Sequence, residues 1–363
     1  MHQHQRFRAV FRRDGRARGK AARFRDIGRA TGARNPAIPV RCMQTRGNSM
    51  NGFVRGLLKV RSLDLAVRLP DRIKDPLRPR LWRLRQYEPR RLAIPSWYRP
   101  ASDADTSLRI TVATPSFDQG RFIARTVRSV LEQGYPRLEY FVQDAGSSDN
   151  TLEVLREFGD RIALRSEADS GQADAVNRAL AHGTGDIMSY LNSDDILLPG
   201  TLHYVADFFA RHPGVDVVYG HRIVIDEEDR EIGRWILPPH SDLAISWVDW
   251  IPQETMFWRR ALWEKVGGVD TSFDFALDWD LIIRFREANA RFARLPRFLA
   301  GFRVHGSQKT VQQIGSGDRE MNRIRQRWLG YVPTKQEITN RLFLYYLKHL
   351  ICHHGFERGW FTY

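Results

Sequence analysis

Asp194 and Asp195 stand side by side directly after a short apolar run, Asp186 to Leu191. Two adjacent carboxylates repel each other, and a bound cation relieves that cost. Hard divalent ions such as Mg²⁺ or Mn²⁺ take oxygen ligands and are commonly shared with substrate phosphates. An isolated Asp-Asp pair is more often a helix cap than a metal site, because Asp caps helices readily and the dipole favours an acid there. The pair therefore gains meaning only from the elements that hold it.

Those elements are legible from Leu108 onward. Ile110 to Ala113 is a short apolar run ending in Thr114-Pro115-Ser116, which predicts a buried strand and a loop. Ile123, Val127, Val130 and Leu131 follow at helical spacing. Leu138 to Val142 predicts a second strand ending at Gln143-Asp144, and Ser147 to Asn150 is rich in N-cap residues before a helix over Thr151–Phe158. Further strands are predicted at Arg161–Arg165, Asp186–Leu191 and Val215–Tyr219, separated by helices around Ala173–Leu180 and over Thr201–Arg211. Alternation of this kind predicts an α/β, Rossmann-type, mostly parallel sheet flanked by helices. Ligands of such sheets bind outside the carboxyl ends of the strands. The polar clusters fall at those ends: Thr114 to Ser116, Asp144, Glu167 to Asp169, and Asn192 to Asp195.

After residue 220 the pattern turns mixed. Arg222–Ile225 and Ile232–Ile236 flank Asp226 to Asp229 as a hairpin. A helix over Arg260–Val266, an amphipathic helix beginning near Asp280, a late strand at Arg297–Val304 and a C-terminal helix carrying Leu342, Tyr345, Tyr346 and Leu350 complete the expectation. Trp247, Trp250 and Trp258 offer either sugar-stacking faces or core packing, and core packing is the commoner fate.

Several motifs in order carry a resemblance. They are Thr114 to Gly120, Gln143-Asp144-Ala145-Gly146-Ser147-Ser148-Asp149-Asn150-Thr151, Glu167 to Gln172, Leu191-Asn192-Ser193-Asp194-Asp195, Leu277-Asp278-Trp279-Asp280-Leu281 and Arg303-Val304-His305. Over roughly residues 108–310 the chain resembles the family 2 glycosyltransferases of the GT-A fold. The ordered set is specific where no single motif is. The resemblance implies inverting transfer of a sugar from a nucleotide-diphosphate sugar (UDP-, GDP- or dTDP-linked) to an acceptor hydroxyl. It also implies a role in polysaccharide or glycolipid biosynthesis, with a glycan or lipid-linked acceptor.

Roles follow residue by residue. Thr114, Pro115, Ser116, Asp144 and Asp169 match donor-side positions, and a carboxylate such as Asp144 can accept a base N–H. The usual acid-Gly-Ser turn reads Asp144-Ala145-Gly146-Ser147 here. Asp194 matches a contact to ribose or sugar. Asp195 and His305 match the ligands of Mn²⁺ or Mg²⁺, although a loop histidine contacting backbone is the plain alternative for His305. Asp278 matches the general base, with Leu277 where the family usually has a first acid. Asp280 is the rival, and its position at the expected helix start reads more naturally as a capping acid.

Composition sets the remaining limits. The first hundred residues hold 26 Lys+Arg against 6 Asp+Glu, whereas the remaining 263 hold 31 against 36. The net charge of +15 is thus a property of the N-terminal stretch, and nucleic acid is not an expected partner of the rest. Residues 1–50 are expected to be a basic, disordered extension, or sequence upstream of a start at Met43 or Met50, with an arm touching acidic lipid or nucleic acid as the lesser reading. Residues 51–105 read as a Pro-rich helical and extended lead-in, 106–310 as the catalytic domain and 311–363 as a helical segment. No run of 18 apolar residues and no secretory h-region occurs, so a cytoplasmic protein with peripheral contact at the inner membrane face is expected. Cys42 and Cys352 cannot form a disulfide framework or a Cys-rich zinc site. The rival classes are a metal-dependent nucleotidyltransferase and a non-catalytic glycan-binding relative. A phosphate loop would need basic residues, and Thr114 to Gly120 has none. A dehydrogenase is excluded because no G-x-G-x-x-G follows the first strand.

Overall fold

The computed structural model describes residues 87–100, 104–308 and 314–363, all within the unit Cys42–Tyr363. The expectations for residues 1–50, and for 51–105 apart from 87–100 and 104–105, lie outside the described residues.

β1 (Ile110–Ser116) is buried along its whole length, as a central parallel strand covered on both faces must be. It pairs in parallel with β2 (Leu138–Asp144) and β4 (Ile187–Tyr190), and β2 pairs in parallel with β3 (Ala163–Ser166). The register places Ser116 opposite Asp144 and Asp144 opposite Ser166, so three strand ends form one polar row. The second half of the sheet is mixed. β8 (Phe257–Arg259) runs antiparallel to both β4 and β6 (Val217–Ile225). β9 (Phe292–Arg303) runs parallel to β6, and β7 (Glu231–Trp235) closes the expected hairpin on β6. The two-residue β5 (Ile196–Leu197) pairs antiparallel with β9, setting Ile196 opposite Gly301. β5 and β8 were not expected from the sequence, because runs of two and three residues carry no periodicity.

Helices cover both faces. α1 (Ile123–Leu131), α2 (Thr151–Arg156) and α4 (Thr201–Arg211) pack Val127, Leu155, Leu202 and Phe209 against Ile110 and Val112. α3 (Gln172–Ala181), the short α5 (Asp242–Ile245), α6 (Arg260–Val266) and α7 (Leu277–Glu287) cover the other face, where Ala113 points. The last two helices, α8 (Ile314–Leu329) and α9 (Lys335–Glu357), join that second core through Met321, Ile324, Leu342, Tyr345 and Tyr346. Each such side chain contributes roughly 1.5–3 kcal/mol by leaving water. α9 starts with a capping box, Thr334 and Glu337 each satisfying the other's backbone N–H. Among the described residues, no helix is long and apolar enough to cross a membrane.

One expectation is corrected, and one choice between alternatives is resolved in favour of core packing. α7 begins at Leu277, not near Asp280, so Asp278 and Asp280 both lie in its first turn. Trp250 and Trp258 are buried in the core, Trp247 packs against it, and none of the three lines the site described below. The Trp250 ring stands 5.0 Å from Tyr345, so α9 covers the ring that a sugar would have needed.

Before β1, Arg90 bridges to Glu231 of β7 and Tyr98 inserts into a third apolar cluster. Gly200 makes that docking possible. It holds φ 73°, and a Cβ there would lie 2.0 Å from the Tyr98 carbonyl oxygen. Gly200→Ala is expected to cost more than about 2 kcal/mol through strain and collision. Thermal unfolding checks this, and an unchanged Tm would show that the 87–100 segment is not held here.

Candidate active site

A cavity of about 700 Å³ opens at the carboxyl ends of β1, β2 and β4. Pro115, Ser116, Asp169, Asp194, Asp195, Asp278 and His305 all line it. Positions spread over nearly two hundred residues of sequence therefore share one wall.

The donor-side floor is built by two interlocked loops. Asp118, at φ 49°, accepts the Ser148 N–H at 2.8 Å, and its own N–H donates to Ser147 Oγ at 2.8 Å. Gly120 N–H donates to Asp149 at 2.9 Å, and Gln119 N–H to Thr151 Oγ1 at 2.8 Å. A Cβ at Gly120 would lie 1.8 Å from Asn150 Oδ1, so a larger residue would displace that side chain. Asn150 precedes α2 without a side-chain cap; Asp149 instead accepts the Thr151 N–H.

Two of the predicted donor residues do not reach the cavity wall. Thr114 is fully buried and hydrogen-bonds Tyr140 at 3.0 Å. Asp144, also fully buried, accepts from the N–H groups of Gly146 and Ser147 at 3.0 and 2.9 Å and from Ser166 Oγ at 2.9 Å. Its carboxylate shapes the loop below the cavity. Ser116 Oγ and Asp169 Oδ2, by contrast, are buried on the cavity wall without hydrogen-bond partners, and such groups require a polar partner.

The acidic pair is fixed from β9. The β5–β9 register brings Arg303 beside it: Arg303 N–H donates to Asp195 Oδ1 at 2.9 Å and Arg303 Nε to the Asp194 carbonyl at 2.7 Å. Two residues on, His305 Nε2 lies 3.0 Å from Asp194 Oδ2, and its Nδ1 lies 2.8 Å from Ser307 Oγ. The histidine thus meets Asp194, whereas Asp195 is held by backbone. Burial pushes the Asp195 carboxyl well above the usual carboxylate range, and Asp194 and Glu254 push it further.

On the opposite wall the sequence singled out Asp278 but neither Arg222 nor Asp249 as site residues. Arg222 of β6 makes a bidentate pair with Glu254, at 2.6 and 2.5 Å, and lies over the Phe302 ring at 4.3 Å. Asp249, from the loop after α5, lines the wall, and burial followed by Asp278 raises its carboxyl well above normal. Asp278 Oδ1 accepts the Trp279 N–H at 2.8 Å. Burial raises the Asp278 carboxyl to about 6, against the lowering effect of that hydrogen bond and of Arg222. Asp280 is different: it is fully buried, pairs with Arg284 and Arg327 at 2.7 Å each, and is not on the wall. Arg222 and Asp249 carried no local signal, because cross-strand neighbours become neighbours only through the β6–β8–β4 pairing.

The charge balance of the wall is lopsided. Asp169, Asp194, Asp195, Asp249, Glu254, Asp274 and Asp278 line it. Among the described residues Arg222 is the one Lys or Arg on the wall, and Glu254 engages it. Among the described residues no group of three or more His, Cys, Asp or Glu side chains is gathered as a metal cage.

A Rossmann-type sheet continued by a mixed half, with an acidic cavity at the strand ends, defines a GT-A glycosyltransferase fold. The comparison with solved structures agrees. Staphylococcus aureus TarS 1–349, crystallised with UDP-GlcNAc, superposes with a TM-score of 0.51 at 18% identity, covering 69% of this chain and 76% of that one. Glycosyl transferase family 2 matches residues 111–273. An uncharacterized glycosyltransferase of Mycobacterium tuberculosis is 30% identical over 182 residues, covering 48% of this chain and 68% of that protein. The chain belongs to glycosyl transferase family 2. Chondroitin synthase of Escherichia coli is 25% identical over 232 residues, covering 61% of this chain but only 33% of that enzyme.

The raised carboxyls have a consequence for stability. The Asp278 carboxyl titrates near 6 in the folded chain and near 3.8 when unfolded, so between those values the folded state holds more protons. Stability from this group is therefore present at low pH and lost as pH rises through 6. Asp278→Asn removes the penalty and is expected to raise Tm at pH 7.5 by about 2–4 °C per kcal/mol relieved. The gain should shrink toward pH 4. A Tm difference that does not depend on pH would refute the burial of this carboxylate.

Proposed function

We propose that the chain transfers a sugar from a nucleotide-diphosphate sugar to an acceptor hydroxyl with inversion, using Asp278 as the base. The observation that carries this reading is the Asp278 carboxyl, raised to about 6 and set on the cavity wall with Asp194, Asp195 and His305. A base poised near the working pH is what proton removal from a hydroxyl needs. The acceptor oxygen attacks the anomeric carbon and its proton passes to Asp278. The bond from that carbon to the diphosphate breaks, and its electron pair leaves with the nucleoside diphosphate. Inversion follows from a single displacement, for which one base suffices. Asp280 is a poor base in this arrangement, since two arginines occupy it.

The wall suits a divalent cation. A diphosphate entering among these carboxylates meets no unengaged Lys or Arg among the described lining residues, so it needs a counter-charge. Asp195 and His305, with Asp194 beside them, supply hard oxygen and imidazole donors for Mn²⁺ or Mg²⁺, and diphosphate oxygens complete such a shell. When bound, the ion neutralises charge on the leaving group. Ser116 and Asp169 offer the donor their unpartnered oxygens, while Asp144 serves it through the loop it braces and Thr114 ties β1 to β2 beneath the cavity. TarS, crystallised with UDP-GlcNAc, and the chondroitin synthase relative support a nucleotide-sugar donor and a glycan acceptor. Placement in polysaccharide or glycolipid assembly, at the inner membrane face, extends that reading.

Incubation with UDP-, GDP- and dTDP-sugars and Mn²⁺ is expected to release nucleoside diphosphate. Release of pyrophosphate would instead mark a nucleotidyltransferase. Asp195→Ala is expected to lower metal-dependent turnover by at least about 100-fold; unchanged turnover sinks the metal assignment.

The acid limb of kcat/KM for transfer is expected to fall away below pH 6, following Asp278. Asp278→Asn is expected to lower kcat by about 10²–10⁴-fold with donor affinity retained. If Asp280→Asn does this and Asp278→Asn does not, the base is misassigned.

A further inference from the structure

α8 lies beyond the family-matched residues 111–273, yet it touches the working wall. Gly317, Glu320, Arg323 and Arg327 recur at helical spacing and so form one stripe along it. Every member of that stripe meets the segment 270–280. Arg323 Nη2 donates to Ser272 Oγ at 2.6 Å, and its guanidinium lies 4.2 Å from the Phe273 ring centre. Arg327 pairs with Asp280 at 2.7 Å. A Cβ at Gly317 would lie 2.6 Å from the Phe275 ring, so the helix backbone itself abuts that side chain.

Glu320 makes the most numerous of these contacts. It accepts three successive N–H groups, from Asp274 at 3.0 Å, Phe275 at 2.9 Å and Ala276 at 2.8 Å. The third of these is the N-cap amide of α7, at Ala276, which has no side chain able to cap; the other two lie in the loop that leads into the helix. The loop and helix held in this way supply Asp274, Phe275, Leu277 and Asp278 to the cavity.

We propose that Glu320 is a positioning residue for the transfer reaction: it ties down the loop that leads into the base-bearing helix, the N-cap amide included, and sets the wall against which the acceptor is placed. This rests on the reading of Asp278 as base. One carboxylate fixes three successive amides within three residues of Leu277, so the base cannot swing without straining them. A misplacement on the order of 1 Å costs about 10²-fold in rate when a proton must pass at hydrogen-bond distance. Phe275 is fixed by the same stripe, so α8 governs which acceptor fits, while the donor wall from β1, β2 and β4 stands apart from it.

The test compares wild type with Glu320→Ala, Glu320→Gln and Gly317→Ala in the full chain. Amide hydrogen exchange at residues 274–276 is expected to quicken in Glu320→Ala. The kcat for transfer is expected to fall by about 10–100-fold with donor KM within twofold. Glu320→Gln keeps one acceptor oxygen and is expected to recover part of both. Gly317→Ala is expected to raise acceptor KM and leave donor KM unchanged. The carbon-13 titration of Asp278 gives a readout apart from activity. It is expected to move from about 6 toward the ordinary carboxylate range in Glu320→Ala as the helix start opens to water. Arg222, Glu254, Asp249 and Tyr190, the charged and titratable groups around Asp278, are unaltered by the substitution. Unchanged exchange at 274–276 overturns the proposal. So does faster exchange with wild-type kcat, or a loss of kcat that merely tracks the folded fraction. If wild type turns over no donor, the proposed function fails, and exchange with the Asp278 titration still decides the role of Glu320.

Discussion

Arg303 ties together parts of the chain that have no local reason to meet. Its backbone N–H holds the Asp195 carboxylate, its Nε holds the Asp194 carbonyl, and its buried guanidinium pairs with Asp229 at 2.5 Å in the β6–β7 hairpin. It is also the last residue of β9, so the same register that buries it delivers His305 to Asp194. A charge this deeply buried survives only with partners, and here they come from the acidic pair on one side and the β6–β7 hairpin on the other. The acidic pair consequently points where it does because a strand from the far end of the domain closes on β5.

The second constraint is the surplus of carboxylates around one engaged arginine. Asp195, Asp249 and Asp278 are all pushed upward by burial, which costs stability whenever they are ionised. The fold tolerates this because two large cores flank the sheet. Strain of this kind is usual where chemistry is done.

Much of the first half was legible. The strands at Ile110, Leu138 and Asp186 and the helix over Thr201–Arg211 obey simple periodicity, and the polar clusters at their ends pointed to the cavity. Boundaries failed where tertiary contacts intervene. α7 starts three residues early: Glu320 holds the N-cap amide at Ala276, which has no side chain able to cap, so no local cap marked the start. The tryptophans left a sugar-stacking face open beside the commoner core packing; α9 settled Trp250 by packing Tyr345 on it.

The sequence by itself determined the alternation of strands and helices, the family and the identity of most acids at the site, since these rest on local pattern and ordered motifs. Tertiary structure alone decided which acids face the cavity. Asp144 turns into its own loop, Asp280 is taken by two arginines, and Asp249 and Arg222 join the wall. The reason is physical: spacing along a chain fixes neighbours within one element, whereas burial and charge pairing depend on the elements that pack across it.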